Sequence, residues 1–436
     1  MKWWLALYLL LLLPACSKPV PETKQPGSIP LVAFDYNKLK KPDIEFLSQF
    51  DIVVTGKFAD SATVKRLKSR GAKLIFYDWL PALYYCSSGN GEWAQRVYDN
   101  KEFWTLDPSD SDPNPMGSRY GCADYFYDMT DEELNEARAQ SLAEEVRAHD
   151  YDGIFFDWGS GLYDIDERKY TFITDSFQKR HPGMDYDAAA GNFLKRVKDT
   201  GLIVILNRGF KSKDAALVKY ADIDVVESMF TGAQCGDKQP EINIKNEGKK
   251  KVCETWFNTP QKSMKIAGEM LGQARRVNPN AGFVFLNYAF PFYRQTGDTS
   301  RPDNAMYEKL PDRQAIFYSL AVSYIAGASG FTCGDDVNIN HVVDDVYFFN
   351  IGAPMGEFQN IDNHTYVRYF RNGIAVISGK KNSVELQLAQ DVKSLYDVYN
   401  KTSLSVSGAK VKVHLESQKY LEAIELPTGR LYKYGY

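Results

Sequence analysis

Eight short apolar runs follow one another between residues 31 and 332, and this series restricts the possible folds more than any other feature. Most of them lack polar alternation, and such β-branched and aromatic stretches are typical of parallel strands buried on both faces. The runs are Leu31–Phe34, Ile52–Val54, Leu74–Tyr77, Ile154–Phe156, Ile203–Leu206, Val225–Val226, Phe283–Leu286 and Ser329–Thr332. We therefore expect one large parallel sheet.

Helices are predicted between these runs. Thr130-Asp131-Glu132-Glu133 is a capping box that opens a helix to about His149. Other helix signals are a cap at Asp60 or Ser61, the apolar set Phe193, Leu194 and Val197, a cap at Ser212, Thr259-Pro260, and Ala315–Ala326. This alternation predicts a (β/α)8 TIM barrel, an α/β fold. An open doubly wound sheet is the alternative, but the glycine-rich nucleotide loop that it needs is absent after the first run.

From about Glu357 the pattern changes to apolar and polar residues in alternation. An Asn372-Gly373 turn between two such stretches is a hairpin signature. The expected strands are Tyr366–Arg371, Ile374–Ser378, Val384–Leu388, Leu395–Tyr399, Val411–Leu415 and Tyr420–Leu426. The predicted domains are therefore a barrel over residues 29–356 and a small antiparallel β-sandwich over residues 357–436.

The amino terminus reads as a lipoprotein signal peptide over residues 1–15. Lys2 precedes an apolar run, and Leu13-Pro14-Ala15-Cys16 ends it with a cysteine suited to lipidation. The competing interpretation, a membrane-spanning helix, is disfavoured because the run is shorter than the roughly 20 apolar residues that a bilayer demands. Residues 16–28 would form an extended tether. We expect a bacterial lipoprotein anchored to a membrane and facing the periplasm or the cell surface.

Charge and cysteine content narrow the possible partners. The formal net charge of -4, with no dominant basic block, argues against nucleic acid. Five cysteines remain besides Cys16, and the simplest scheme pairs Cys86 with Cys122 and Cys235 with Cys253, because each pair brackets a long connection. One cysteine then stays unpaired or pairs outside the chain. No Cys-x-x-Cys or paired histidine spacing supports zinc, so neither a metal nor a cofactor is expected.

Polar residues stand at or just beyond the ends of these runs, and in a closed parallel barrel they converge on one rim. They are Asp35, Tyr36, Tyr77, Asp78, Asp157, Trp158, Asn207, Arg208, Glu227, Asn287 and Tyr288. The predicted mouth is acidic and aromatic. Such a surface suits carbohydrate, because sugar hydroxyls bond to carboxylates and amides while sugar C–H faces lie against aromatic rings.

Two of the rim acids match the needs of glycosidic bond cleavage, which requires one protonated carboxyl group and one ionised carboxylate. We predict that Asp157 is the nucleophile and Glu227 the general acid and base. Glutamate has the higher unperturbed pKa, and the apolar neighbours Val225, Val226 and Met229 favour raising it further. The spacing of the two carboxyl groups, and hence retention or inversion, is not given by the sequence.

Structural explanations exist for the same residues. Asp157 could cap a helix or bind an arginine, and Glu227 could pair with Arg208. Asp35 and Asp78 suit either substrate contact or structural hydrogen bonds. The aromatic residues of the long connection from Asp78 to Asp128 are either stacking platforms or the core of that insertion; they are Trp79, Tyr84, Tyr85, Trp93 and Trp104. The alternative function is a glycan-binding lipoprotein that performs no chemistry.

Several motifs resemble the group called hypothetical glycosyl hydrolase family 15 and, more distantly, the endo-α-1,4-polygalactosaminidases of glycoside hydrolase family 114. They are Tyr127-Asp128-Met129-Thr130, Asp152-Gly153-Ile154-Phe155-Phe156-Asp157, the strand that ends at Asn207, and Val226-Glu227-Ser228. The resemblance covers about residues 30 to 335. Residues 370–376 and 395–399 more loosely resemble the β-sandwich that follows many glycosidase barrels.

This resemblance implies roles for four residues. In such families the aspartate after the fourth strand is the nucleophile and an acid after the sixth is the proton donor, which here are Asp157 and Glu227. The resemblance also implies that Asp35 and Tyr77 help to hold the sugar at the point of cleavage. It does not identify the sugar.

Overall fold

The computed structural model shows a (β/α)8 barrel followed by an antiparallel β-sandwich, as the sequence predicts. It describes residues 30–36, 39, 41–85, 99–100, 106, 123–126, 128–167, 170–234, 241–296, 306–310, 312–334, 339, 343–379, 382–388, 391–415 and 426–435. Within these ranges, none of the helices combines the length and the apolar character needed to cross a bilayer. The predicted signal peptide, Cys16 and the tether lie outside the described residues.

Eight parallel strands form the barrel sheet, and each predicted apolar run lies within or largely within one of them. They are β1 Val32–Asp35, β2 Ile52–Thr55, β3 Lys73–Trp79, β4 Gly153–Asp157, β5 Ile203–Asn207, β6 Ile223–Glu227, β7 Gly282–Tyr288 and β8 Ser329–Cys333. Each strand pairs with the next one along the chain. The first and last strands meet, because the Cys333 Sγ lies 3.5 Å from the Phe34 carbonyl oxygen. The sheet is therefore a nearly closed barrel.

Helices cover the outside of this sheet. They are α1 Lys41–Leu47, α2 Ser61–Lys68, α3 Glu132–Ala148, α4 Leu162–Glu167, α5 Thr171–Arg180, α6 Tyr186–Asp199, α7 Pro260–Val277 and α8 Arg313–Ala326. Between β5 and β6 the connection is 3-10 helix, Gly209–Lys211 and Lys213–Tyr220, and a third such turn is Asp345–Phe348. The cap of α3 is Asp131, one residue later than predicted, because the Thr130 hydroxyl donates to Asp128 instead.

The connections at the carboxyl ends of the barrel strands carry small sheets that the sequence analysis did not predict. Ala82–Tyr85 pairs with Ala123–Phe126, and Thr231–Gln234 pairs with Glu254–Phe257. A four-stranded sheet contains Glu241–Ile244, Gly248–Lys251, Phe292–Thr296 and Met306–Leu310. Cys253 forms a disulfide, whereas Cys333 is free and buried. Cys86, Cys122 and Cys235 lie outside the described residues, so the pairing scheme stays a prediction.

Eight further strands build the carboxyl-terminal sandwich. They are β9 Gln359–Asn360, β10 Thr365–Phe370, β11 Gly373–Ser378, β12 Asn382–Gln387, β13 Ser394–Asp397, β14 Thr402–Ser405, β15 Lys410–Leu415 and β16 Thr428–Gly435. One sheet has the order β9-β10-β11-β16-β13-β14, and β12 pairs with β15. Val376, Leu386, Leu395 and Val413 belong to the core between the two sheets. The sequence pattern did not predict β9, β14 and β16, and Tyr420 to Glu425 of the last predicted strand lie outside the described residues.

The large sheet of the sandwich packs on the barrel through α8. This helix is apolar on nearly all sides and almost completely buried, as expected for a helix between two layers. At Gly429 of β16 the backbones approach so closely that a Cβ atom would lie 2.5 Å from the carbonyl oxygen of Phe317. The Arg313 Nη1 donates to the Tyr399 carbonyl oxygen at 2.7 Å. The sandwich thus supports the helix layer behind β7 and β8.

Candidate functional site

The side chain of Asn207 links two carboxylates at the carboxyl end of the barrel. Its Nδ2 donates to the Oδ1 of Asp157 at 2.9 Å and to the Oε2 of Glu227 at 2.5 Å. Asn207 is buried, whereas Asp157 and Glu227 are half-buried at the mouth. Strands β4, β5 and β6 are neighbours, and the last residue of each turns its side chain to the same point.

The shared nitrogen limits how far apart the carboxylates lie. Since the two bonds measure 2.9 and 2.5 Å, the bonded oxygens are at most 5.4 Å apart. The two N–H bonds of an amide diverge by about 120°, which places these oxygens about 4.7 Å apart. This spacing is close to the roughly 5 to 5.5 Å between the two carboxyl groups of retaining glycosidases.

Tyrosines complete the hydrogen bonds of both acids. The Tyr77 hydroxyl donates to the Asp157 Oδ2 at 2.6 Å, and the Tyr288 hydroxyl donates to the Glu227 Oε1. The backbone N–H of Trp158 donates to the Asp157 Oδ1 at 2.9 Å. The Tyr36 ring lies 4.5 Å from that of Tyr77. Asp157 therefore accepts three hydrogen bonds and Glu227 two, so both carboxylates are held in one orientation.

Burial and charge act differently on the groups of this cluster. Burial raises the pKa of Glu227 and the negative charge of Asp157 raises it further, while hydrogen bonds from Tyr288 and Asn207 and the charge of Arg208 oppose the rise. Burial, together with the nearby acids, also raises the pKa values of Tyr36 and Tyr288 well above their ordinary value. Both tyrosines therefore stay protonated donors at neutral pH, and Glu227 keeps its proton to a higher pH than an ordinary glutamate.

Tryptophans pack beside Asp157. The Trp79 indole donates to the Tyr77 hydroxyl at 2.5 Å, and its ring stacks on Trp158 with centroids 5.9 Å apart. Trp158 has a left-handed backbone with φ of 55°. The next residue, Gly159, lies so close to the Asn207 backbone that a Cβ atom would be 2.8 Å from its carbonyl oxygen. Both tryptophans are buried, so they hold Tyr77 and the strand ends in place.

Three predicted rim residues make their contacts outside the cluster, namely Asp78, Asn287 and Arg208. Asp78 forms a buried ion pair with Arg138 at 3.1 Å, on the helix side of β3. The Asn287 Oδ1 accepts from the backbone N–H of Phe230 at 3.0 Å and supports the strand that follows β6. Arg208 pairs with acids of α4 rather than with Glu227. A fourth, Asp35, is buried near Cys333, where burial of the thiol and then the charge of Asp35 raise the pKa of Cys333.

The Tyr127–Thr130 motif contributes to the packing of two helices through Asp128, while Tyr127 lies outside the described residues. Asp128 is buried, and its Oδ2 lies 2.6 Å from the Nε2 of His181 and 3.3 Å from the Nη1 of Arg180. Since His181 follows α5 and Asp128 precedes α3, these contacts join the ends of two helices. Trp93 and Trp104 of the long connection lie outside the described residues.

Replacing Asp78 tests its structural position. We expect Asp78→Ala to lower the free energy of unfolding by about 3 to 5 kcal/mol, because Arg138 then keeps a buried charge without its carboxylate partner. Urea denaturation measures this loss. Asp175→Ala, a surface change on α5, is the control. A loss below about 1 kcal/mol would contradict the buried ion pair.

Asp224 supports the turn that follows Asn207. Its buried carboxylate accepts from the backbone N–H groups of Gly209 and Phe210 at 2.7 and 2.9 Å. Burial raises its pKa to about 8. The folded chain therefore keeps a proton on Asp224 where the unfolded chain has released it, so stability falls as the pH rises from about 4 to about 8.

Removing this titration should flatten the pH dependence of stability. We expect Asp224→Asn to remove a slope of about 1.4 kcal/mol per pH unit from the free energy of unfolding between pH 5 and 7. Urea titrations at each pH measure it, with the exposed Asp199→Asn as the control. Equal slopes in the wild type and Asp224→Asn would be the contrary result.

The sequence analysis missed the acids of α4. Asp164 and Glu167 lie on a short helix directly after β4 and hold Arg208. The sequence did contain an indication of them, because the acidic segment Leu162–Glu167 follows the strand that ends in the proposed catalytic Asp157. In the described residues, no group of three or more His, Cys, Asp or Glu side chains is arranged to hold a metal ion.

Comparisons with known proteins give structural matches only. A scan against protein-family models finds no match, and a search of curated proteins finds no significant one. The glycoside hydrolase domain of PelA from Pseudomonas aeruginosa is similar at 18% identity and a TM-score of 0.44, over 72% of this chain and 98% of that one. An alpha-amylase from Malbranchea cinnamomea is similar at 12% identity and 0.45, over 90% and 88%. The maltogenic alpha-amylase AmyB from Thermotoga neapolitana is similar at 12% and 0.47, over 94% and 99%.

Proposed function

We propose that this protein is a glycoside hydrolase that cleaves O-glycosidic bonds of a polysaccharide or oligosaccharide with Asp157 and Glu227. The observation that carries the proposal is the Asn207 amide, which bonds to both carboxylates across the barrel mouth. An ion pair or a helix cap would explain a single acid at a strand end. Neither explains two half-buried acids that share one donor and form no ion pair with any residue that the structure describes.

The environments of the acids support a division of roles. Asp157 accepts hydrogen bonds from Tyr77, Trp158 and Asn207, and such donors stabilise negative charge on a nucleophile. The raised pKa of Glu227 suits a group that must carry a proton to the leaving oxygen. In the first step an Asp157 oxygen bonds to the anomeric carbon while the Glu227 proton moves to the departing oxygen.

The second step releases the sugar and regenerates free Asp157 and protonated Glu227. Glu227, now ionised, takes a proton from water as the water oxygen attacks the anomeric carbon and the bond to Asp157 breaks. Two displacements at one carbon give net retention of configuration. The spacing through Asn207 favours this course, because inverting enzymes need about 6.5 to 9.5 Å to admit water between the groups.

Membership of the group called hypothetical glycosyl hydrolase family 15, or of glycoside hydrolase family 114, remains part of the proposal. So does attachment to a bacterial membrane through a lipid on Cys16, with the barrel in the periplasm or at the cell surface. The proposed partners are a carbohydrate substrate and the membrane, with neither nucleic acid nor a cofactor. The catalytic domain would extend over residues 29–356.

A panel of polysaccharides tests the activity. The purified protein is incubated with neutral, uronic and amino-sugar polymers, and new reducing ends are measured. We expect release from at least one polymer, with proton NMR of the first product showing the anomeric configuration of the substrate. Binding to a polymer without release would favour the glycan-binding lipoprotein instead, and inversion would overturn the assignment of Asp157 as nucleophile.

A further inference from the structure

Arg208 occupies an unusual position directly after Asn207. Its backbone is left-handed, with φ of 65°, and its N–H donates to the Val225 carbonyl oxygen at 2.8 Å. A left-handed conformation is uncommon for a residue with a side chain. Here it follows the strand end that places Asn207 between the two acids, and the Arg208 side chain contacts α4 instead of those acids.

Two acids of α4 hold the guanidinium. The Nη1 lies 3.2 Å from the Oδ1 of Asp164 and the Nη2 lies 2.7 Å from the Oε2 of Glu167. The Asp164 side chain is 2% exposed and that of Arg208 is 16% exposed. A charge pair with so little solvent around it is screened weakly, so its field reaches neighbouring groups. The Tyr163 ring, 5.5 Å from the guanidinium carbon, covers a further side.

The charges around the site form a connected set. Glu227 interacts with Asp157 and with Arg208, and Asp164 interacts with both Arg208 and Asp157. The other titratable groups near Glu227 are Tyr288, Tyr36 and Cys333, whose side chains stay neutral because burial raises their pKa values. Around Arg208 the remaining groups are Glu167, Tyr163 and Lys211. Among the residues that the structure describes, Arg208 supplies a positive charge that opposes the rise in the pKa of Glu227.

We propose that Arg208, held outward by Asp164, is a positioning residue that sets the protonation of Glu227 and fixes Asn207 between the two acids. The inference rests on the proposed function. It adds that an ion pair between Arg208, in the turn after β5, and the acids of α4 determines the working pH of the enzyme. This ion pair acts on Glu227 without contacting the substrate.

The two members of the pair should shift the pH profile in opposite directions. Removing Arg208 removes a positive charge that favours ionised Glu227, so the alkaline limb of kcat/KM should move up by about one pH unit. Removing Asp164 leaves the charge of Arg208 less compensated, so the alkaline limb should move down.

The experiment compares pH profiles of kcat/KM on the polysaccharide found in the panel for the wild type, Arg208→Gln, Asp164→Asn and Arg208→Lys. Arg196→Gln is the matched control, since Arg196 also pairs with two acids, Glu132 and Glu136, but on the outer surface. We expect opposite shifts of the alkaline limb in the first two variants, a position near that of the wild type in Arg208→Lys, and no shift in Arg196→Gln.

Rate losses with unmoved limbs in both Arg208→Gln and Asp164→Asn would overturn the inference, because a structural role alone gives that result. Thermal unfolding of each variant shows whether enough folded protein is present for its limbs to be compared. Failure of the proposed function looks different, since Glu227→Gln would then keep full activity. If Glu227→Gln is inactive while the limbs stay fixed, only the role of Arg208 is rejected.

Discussion

Asp157→Asn is expected to lower kcat on the order of 10⁴-fold or more, the largest effect of any single change in this chain. The amide keeps the size of the carboxylate but is a far weaker nucleophile, so no bond to the anomeric carbon forms. Tyr77 and Asn207 would keep a polar partner at this position, so the fold should be preserved. Reducing-end release from the polysaccharide found in the panel measures the loss.

Small anions sharpen this test. Asp157→Gly opens a space next to the anomeric carbon, and azide entering it should restore cleavage of an aryl glycoside and yield a glycosyl azide of inverted configuration. Asp166→Asn, an exposed acid on α4, serves as the control and should keep wild-type activity. Release by Asp157→Asn at a rate within tenfold of the wild type would remove Asp157 from the mechanism.

Glu227→Gln should lower kcat on polysaccharide by about 10² to 10⁴-fold, because the leaving oxygen then departs without a proton. The loss should depend on the leaving group. A dinitrophenyl glycoside, whose phenolate leaves without protonation, should react with this variant in its first step almost as fast as with the wild type. Steady-state and pre-steady-state rates on both substrates measure the difference.

The pH dependence of the same variant provides a second readout. The alkaline limb of the wild-type profile should vanish in Glu227→Gln, since the group that must be protonated has been removed. Glu269→Gln, on the exposed side of α7, is the matched control. An equal loss on polysaccharide and on the activated glycoside would show that Glu227 does not act as the acid.

The barrel was predictable because its strands are buried on both faces. Short continuous apolar runs such as Ile154–Phe156 are typical of buried parallel strands, and their order along the chain gives their order in the sheet. The β-hairpins of the connections were not predictable, since Glu241–Ile244 and Gly248–Lys251 carry mostly polar residues. Glu241–Ile244 also pairs with Met306–Leu310, which is far away in sequence.

The sequence indicated where each strand ends, but not which of two consecutive residues there faces the barrel mouth. Consecutive side chains of a strand point to opposite faces, so only one of Tyr77 and Asp78, and one of Asn287 and Tyr288, can face the barrel mouth. The structure turns Tyr77 and Tyr288 to the acids and the other two to the surrounding layers. The apolar runs have no polar alternation, so they give no indication of which face is inside.

Backbone conformation was the other limit. Trp158 and Arg208 both have positive φ, and neither residue type favours such a conformation, so the sequence does not predict it. These two turns direct Trp158 to Trp79 and Arg208 to α4. The packing of Gly159 on Asn207 fixes the first turn, and the hydrogen bonds that Gly209 and Phe210 donate to Asp224 fix the second; both contacts are tertiary.

In the proposed mechanism, Asp157 forms a covalent bond to the sugar while Glu227 acts as the acid and base. The most direct measurement is the mass of Glu227→Gln during turnover of a dinitrophenyl glycoside, where the first step is fast and the second lacks its base. We predict an increase of one glycosyl unit, mapped by peptide mass spectrometry to Asp157. An unmodified protein during turnover, or an adduct on another residue, would contradict the account.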